Sequence, residues 1–148
     1  DHVTNIKDRL AMLTMAVTSN PNFEICDMEI KRGGVSYSID TIKEYKNEFD
    51  LKSNELFYLI GSDSLQNFHN WKDADQILDN CKVIVALRPG FKPSDISNSI
   101  LRKVLFASIP RFEISSSTIR KRWRKDKTIR YMVTQPVWEY INDHGMYQ

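Results

Sequence analysis

Apolar residues recur at Ile6, Leu10, Leu13 and Val17 between Asn5 and Ser19, the spacing of one helix face, and Asn20-Pro21 stops the pattern. Thr4 stands where a helix cap belongs. Phe23 to Ile30 is rich in β-forming residues but slips phase, with Phe23 and Ile25 on one parity and Cys26, Met28 and Ile30 on the other. That predicts a bulged or short edge strand. Arg32-Gly33-Gly34 marks a turn, and a helix opening at Ser38 or Asp40 runs to about Phe49 with Ile39, Ile42 and Tyr45 inward. Leu56 to Ile60 and Val83 to Leu87 are continuous apolar runs that end in turn residues, the second closed by Pro89-Gly90. Such runs suit strands buried on both faces, and the helix fitted to Asp73 to Asp79 between them implies parallel pairing. Ser94 to Lys103 is open between helix and loop, and Val104 to Ile109 offers a third strand before Pro110. A basic helix led by hydroxyl residues follows. The last helix, with Pro136 near its start, carries Val137, Tyr140 and Ile141 to a stop at Gly145. The sum is an α/β doubly wound parallel sheet, with ligands expected at the carboxyl ends of strands.

Composition narrows this picture more than it extends it. The 148 residues, 41% apolar, suit one domain over 1–148 with a sizeable core. No run approaches the length of a membrane span and no signal peptide precedes the first helix, so a cytoplasmic protein without a membrane partner is expected. The start at Asp1 suggests a trimmed product. Cys26 and Cys81 lack a C-x-x-C or a histidine cluster, so both read as reduced thiols and no metal site is expected. Net charge is only +2, yet Arg120, Lys121, Arg122, Arg124, Lys125, Lys127 and Arg130 crowd one short segment.

The candidate chemistry sits in two stretches. In Ile114-Ser115-Ser116-Ser117-Thr118-Ile119-Arg120, hydroxyls meet the free N–H groups and positive end of a helix, which is what a phosphate chain needs. In Leu59-Ile60-Gly61-Ser62-Asp63-Ser64-Leu65, Gly61 permits close backbone approach just past a strand, and Asp63 can accept from ribose hydroxyls or serve only as a helix cap. Trp71 can stack on an aromatic ring or simply pack a loop base. His69 is a general-base candidate by type, but a lone loop histidine is more often a surface residue.

Taken in order, Arg32-Gly33-Gly34-Val35-Ser36-Tyr37-Ser38-Ile39-Asp40-Thr41, Ile60 to Leu65 with Phe68 and Trp71, Arg88-Pro89-Gly90, Ile114 to Arg120, and Val133 through Val137 with Tyr140-Ile141 and Gly145-Met146-Tyr147 resemble the bacterial nicotinate-nucleotide adenylyltransferases. The resemblance implies a Rossmann-like nucleotidyltransferase of the HIGH-signature superfamily, which moves AMP from ATP to nicotinate mononucleotide and releases pyrophosphate in NAD biosynthesis. It implies that Gly61 and Asp63 hold the adenosine ribose region and that Ser115, Ser116, Ser117 and Arg120 grip the ATP phosphates. It further implies that Trp71 stacks near the pyridine ring, and that Ser36, Tyr37 and Ser38, with the backbone around Trp71 and Lys72, meet the nicotinate carboxylate. That carboxylate calls for donors with no acidic side chain nearby, and Lys72 could add charge. Mg²⁺ is expected with ATP, on its phosphates.

The family's opening strand and G-x-F-D-P-x-H-x-G-H loop have no counterpart here, and His2, His69 and His144 lack that context. The catalytic residues are therefore unassigned, and the chain is expected to lack its first strand and phosphate-binding loop and to be inactive alone. Three other readings stand beside this one: an adenylyltransferase for the amidated mononucleotide or another phosphate acceptor, a noncatalytic nucleotide-binding module, and a nucleic-acid binder using the basic helix with Trp123. Charge runs are more often solvated helix faces, so nucleic acid is not an expected partner. A homo-oligomer stays open.

Overall fold

Ile60, Val83, Val85 and Val104 lie on one face of a parallel sheet and are almost wholly removed from solvent. The computed structural model describes residues 4–87, 96–110 and 114–148; Arg88-Pro89-Gly90, His2 and the start of the Ser94 to Lys103 segment lie outside them. The described residues gather into two compact units, Lys31–Arg111 and Asp1–Ile30 with Phe112–Gln148.

In the first unit, β1 (Phe57–Gly61), β2 (Lys82–Leu87) and β3 (Val104–Ser108) pair in that order. Tyr58 stands opposite Val83 and Ile60 opposite Val85, while Val83 stands opposite Val104. Parallel neighbours need crossovers, and the chain supplies α4 (Ser62–Gln66), a 3₁₀ turn (Phe68–Asn70) and α5 (Ala74–Asn80) after β1, then α6 (Asn98–Leu101) before β3. α3 (Ser38–Glu48) joins the same core through Ile39 and Ile42, alongside Leu65, Phe68 and Ile77. Tyr45 is half-buried, its ring 4.5 Å from that of Phe49.

The strands are not buried on both faces as the apolar runs suggested. Residues alternate across a strand, and the opposite face carries Phe57, Leu59 and Leu105, which are 56%, 66% and 51% exposed. An unbroken apolar run shows that both faces could be covered; it does not say which one is.

The second unit holds α1 (Ile6–Val17), α7 (Ser116–Trp123) and α8 (Gln135–Asp143), with Ile129, Val137 and Ile141 buried at its centre. Asn5, rather than Thr4, caps α1. Its Oδ1 accepts from the Asp8 N–H at 2.8 Å, and its Nδ2 donates to Asp8 Oδ2 at 2.6 Å, so the N3 side chain holds the capping amide in place. The Thr4 hydroxyl instead donates to Tyr147 Oη at 3.1 Å. Ile6 and Leu13 are exposed, and Met12 and Ala16 make the packed side, so the inner stripe is rotated from the one the spacing suggested. α8 ends as expected: Gly145 adopts a φ of 55°, and the Met146 N–H returns to the Ile141 carbonyl at 3.0 Å. This closure leaves the glycine in the left-handed region, where a Cβ would be strained.

The expected edge strand at Phe23 to Ile30 is absent. Phe23 is 63% exposed, and α2 (Met28–Arg32) begins within the segment and buries Met28. A strand has no stability without a partner ladder, whereas a helical turn satisfies itself, with Glu29 in its first turn and Lys31 and Arg32 in its last complementing the dipole.

Both cysteines are free thiols, Cys26 exposed and Cys81 buried with its S–H donating to the Ile77 carbonyl at 3.3 Å. Burial pushes the Cys81 thiol up from 9.0 to about 11, with nearby Lys46 opposing. Because the folded value is raised, the stability that the neutral thiol contributes is fully present below pH 9 and is lost as pH climbs towards 11. Iodoacetamide at pH 8 should therefore label Cys26 promptly and Cys81 only after denaturation, as read by peptide mass. Equal labelling in the native protein would contradict this burial.

Candidate functional site

Five expected acceptor residues come together in the sheet-containing unit. Arg32 shapes the approach to α3: its guanidinium pairs with Glu44 and donates to Thr41 Oγ1 at 3.2 Å and Ser36 Oγ at 3.5 Å. Gly33 and Gly34 turn the chain at φ of 68° and 65°, a conformation that favours glycine. The turn delivers Tyr37 as the N-cap of α3 and Ser38 as its first residue, and Tyr37 offers no side-chain cap bond. Ser38 Oγ accepts from the Tyr58 hydroxyl at 2.9 Å.

Trp71 arrives from the other side of the sequence. The 3₁₀ turn seats Phe68 fully in the core, and the half-buried Trp71 ring lies 5.3 Å from Phe68 and 6.4 Å, edge-on, from Tyr58. The indole is thus both a packing residue and a partly open surface. Next to it, Lys72 Nζ stands 4.5 Å above the Tyr37 ring and 3.1 and 3.3 Å from the two Asp40 oxygens. The expectation that no acidic side chain lies near is overturned here. Asp40 occupies the first turn of α3, where the helix dipole favours a carboxylate, and it holds the lysine.

Gly61 and Asp63 sit at the carboxyl end of β1. Gly61 is the N-cap of α4 with φ −79° and ψ 158°, a backbone any residue adopts, so conformation alone does not demand glycine there. Asp63 is exposed in the first turn of α4 rather than at the cap, which removes the simple N-cap reading. Ser62 beside it is 2% exposed.

In the helical unit, Ser115 is the N-cap of α7 and its Oγ accepts from the Thr118 N–H at 3.1 Å. Ser116 and Ser117 follow in the exposed first turn. Arg120 is half-buried, its guanidinium 6.0 Å from the Tyr147 ring centroid. Much of the basic run has an internal role: Arg122 donates twice to the Thr128 carbonyl, at 3.2 and 3.0 Å, Arg124 donates to that of Tyr147 at 3.3 Å, and Arg130 lies over Trp138 and Tyr131. These contacts weaken the nucleic-acid reading. His69 is exposed, and the His144 ring stacks on Tyr140 at 3.9 Å, so neither takes part in these groups. Among the described residues, no three His, Cys, Asp or Glu side chains gather as a metal-ligand set, and no helix is long and apolar enough to cross a membrane.

Sequence reasoning missed Tyr58 and Asp40. A tyrosine inside an otherwise aliphatic strand was the available signal, since a phenol turned towards a core needs a partner for its hydroxyl. Asp40 carried no signal beyond its place at a helix start.

Comparison with known proteins gives a consistent result. The cytidylyltransferase-like family model matches residues 1–122. A probable nicotinate-nucleotide adenylyltransferase of Moorella thermoacetica is 34% identical, with 99% of this chain and 70% of the relative covered. One of Salinibacter ruber, with the same name, is 34% identical over 100% of this chain and 75% of its own length. Two structures of the Plasmodium falciparum nicotinic acid mononucleotide adenylyltransferase, complexed with APC and with NaAD, each superpose with a TM-score of 0.75 at 22% identity. They cover 98% and 99% of this chain and 77% and 76% of their own, a likeness of fold that agrees with a Rossmann-like parallel sheet flanked by helices.

Proposed function

The chain belongs to the cytidylyltransferase-like family, and within it to the nicotinate-nucleotide adenylyltransferases; from that membership we infer that it serves adenylyl transfer from ATP to nicotinate mononucleotide in NAD synthesis. The acceptor phosphate oxygen attacks the α-phosphorus of ATP, a new P–O bond forms, and pyrophosphate leaves with the electrons of the broken one. No covalent protein intermediate is needed, so positioning and charge stabilisation are the protein's share. Mg²⁺ would accompany ATP on its phosphates and supply charge neutralisation there, with no side chain of this chain needed to ligate it. Two unpaired thiols accord with a reducing, cytoplasmic setting.

In this reading Ser36, Tyr37, Ser38, Trp71 and the backbone at Lys72 receive the nicotinate group, while the Lys72 ammonium stays with Asp40. The observation that carries it is their convergence: Tyr58 touches both Ser38 and Trp71, and Lys72 caps the Tyr37 ring, although these residues come from two separate segments. An aromatic face beside serine hydroxyls suits a pyridine carboxylate; the Trp71 backbone N–H itself is spent on the Phe68 carbonyl at 3.0 Å. Gly61 and Asp63 take the ribose region, and Ser115, Ser116, Ser117 and Arg120 take phosphates, supported by the exposed first turn of α7.

In the intact enzyme, nicotinate mononucleotide should be preferred over the amidated form in kcat/KM. Trp71→Ala should raise the acceptor KM about fivefold while leaving the ATP KM within about twofold, measured on folded protein by pyrophosphate release. Equal use of both mononucleotides would favour the amidated-acceptor enzyme. Equal loss towards ATP would remove Trp71 from the acceptor site.

A further inference from the structure

Ser38 has one proton to give and two lone pairs to receive. Tyr58, half-buried on β1, spends its hydroxyl on one of those lone pairs at 2.9 Å, and its ring meets Trp71 edge-on at 6.4 Å with an interplanar angle of 76°. The phenol is the more acidic of the two hydroxyls, so it is the natural donor. Once it donates, the Ser38 proton points elsewhere and Ser38 presents itself as a donor. We infer that Tyr58 is a positioning residue that sets the acceptor preference, by fixing Ser38 as a hydrogen-bond donor to a carboxylate and bracing Trp71 against the same strand.

This rests on the reading of Ser38 and Trp71 as acceptor groups. A carboxylate is acceptor-only and takes a bond from such a hydroxyl, strengthened by the phenol behind it. The uncharged carboxamide of nicotinamide mononucleotide also brings donors, and a hydroxyl already committed to donating meets them less well. Specificity then arises from a side chain that touches no substrate: a rigid strand residue orients the serine at the start of α3 and, through its ring, the indole that follows the 3₁₀ turn. The two contacts separate cleanly, since Tyr58→Phe removes the hydroxyl and keeps the ring.

The test compares kcat/KM for nicotinate and nicotinamide mononucleotides in the intact enzyme at saturating ATP. Tyr58→Phe should reduce the preference for the nicotinate form at least fivefold, about 1 kcal/mol, through a higher acceptor KM. The kcat and the ATP KM should stay within about twofold. Ser38→Ala should give a similar loss, the double variant no further loss, and Ser38→Thr the wild-type preference, because the two hydroxyls act as one unit. A wild-type preference in Tyr58→Phe, a parallel rise in the ATP KM, or a double variant that multiplies the single effects would overturn the role. A wild-type enzyme that uses neither mononucleotide would overturn the functional reading and this inference together. Intact discrimination in both wild type and Tyr58→Phe would overturn the inference alone.

Discussion

Phe68→Ala should lose about 3–5 kcal/mol of stability, because a large, fully buried ring is removed and the cavity left behind can close only in part. Phe68 is 0% exposed and sits where the 3₁₀ turn, α4 and the buried face of the sheet meet, with Ile39, Leu65 and Val85 in the same cluster. Its ring also supports Trp71 at 5.3 Å. A loss of that size is a large part of the net stability of an ordinary domain. Urea unfolding should show the midpoint falling with little change in slope, and Phe68→Leu should lose considerably less. A loss below about 1 kcal/mol would mean the site repacks, contrary to the closed cluster described here. In the fraction that stays folded, the indole loses its inner wall, so acceptor binding should weaken before ATP binding does.

Asp63→Ala in the intact enzyme should lower kcat/KM between tenfold and a hundredfold, the range expected when about 1.5–3 kcal/mol of charged hydrogen bonding to a substrate is lost. The carboxylate is exposed in the first turn of α4 rather than built into the core, so the melting temperature should move by no more than a few degrees. Asp63→Asn keeps the shape and one acceptor and should fall between the two. Wild-type activity in Asp63→Ala would remove it from the nucleotide site, and a matching fall in stability would make it structural instead.

Several boundaries were legible without any structure. The helix opening at Ser38 or Asp40, the strands around Leu59 and Val85, the hydroxyl-led start of the basic helix and the stop at Gly145 all follow from spacing, turn residues and capping chemistry. Those signals act over a few residues, so a single segment carries them whole. The start of α1 was one residue off because Thr4 and Asn5 are both good caps, and only Asn5 has Asp8 three positions ahead to answer it. The segment around Phe23 failed for a different reason: its residues favour a strand, but a strand needs a neighbour and none pairs with it among the described residues.

By itself the sequence determined the alternation of strands and helices, the parallel order this forces, the hydroxyl-led start of α7 and the family to which all of them belong. Tertiary structure alone decided which face of each element is covered and which polar groups meet. Phe57 and Leu59 are as apolar as Ile60, yet only Ile60 is buried. Lys72 is free to serve an incoming carboxylate as far as its own segment shows, but it is held by Asp40, and Tyr58 reads as a strand filler until its hydroxyl is found on Ser38. The physical reason is distance along the chain. Burial and hydrogen bonding between segments twenty or thirty residues apart depend on where the sheet and helices place them, and no local pattern of residues encodes that placement.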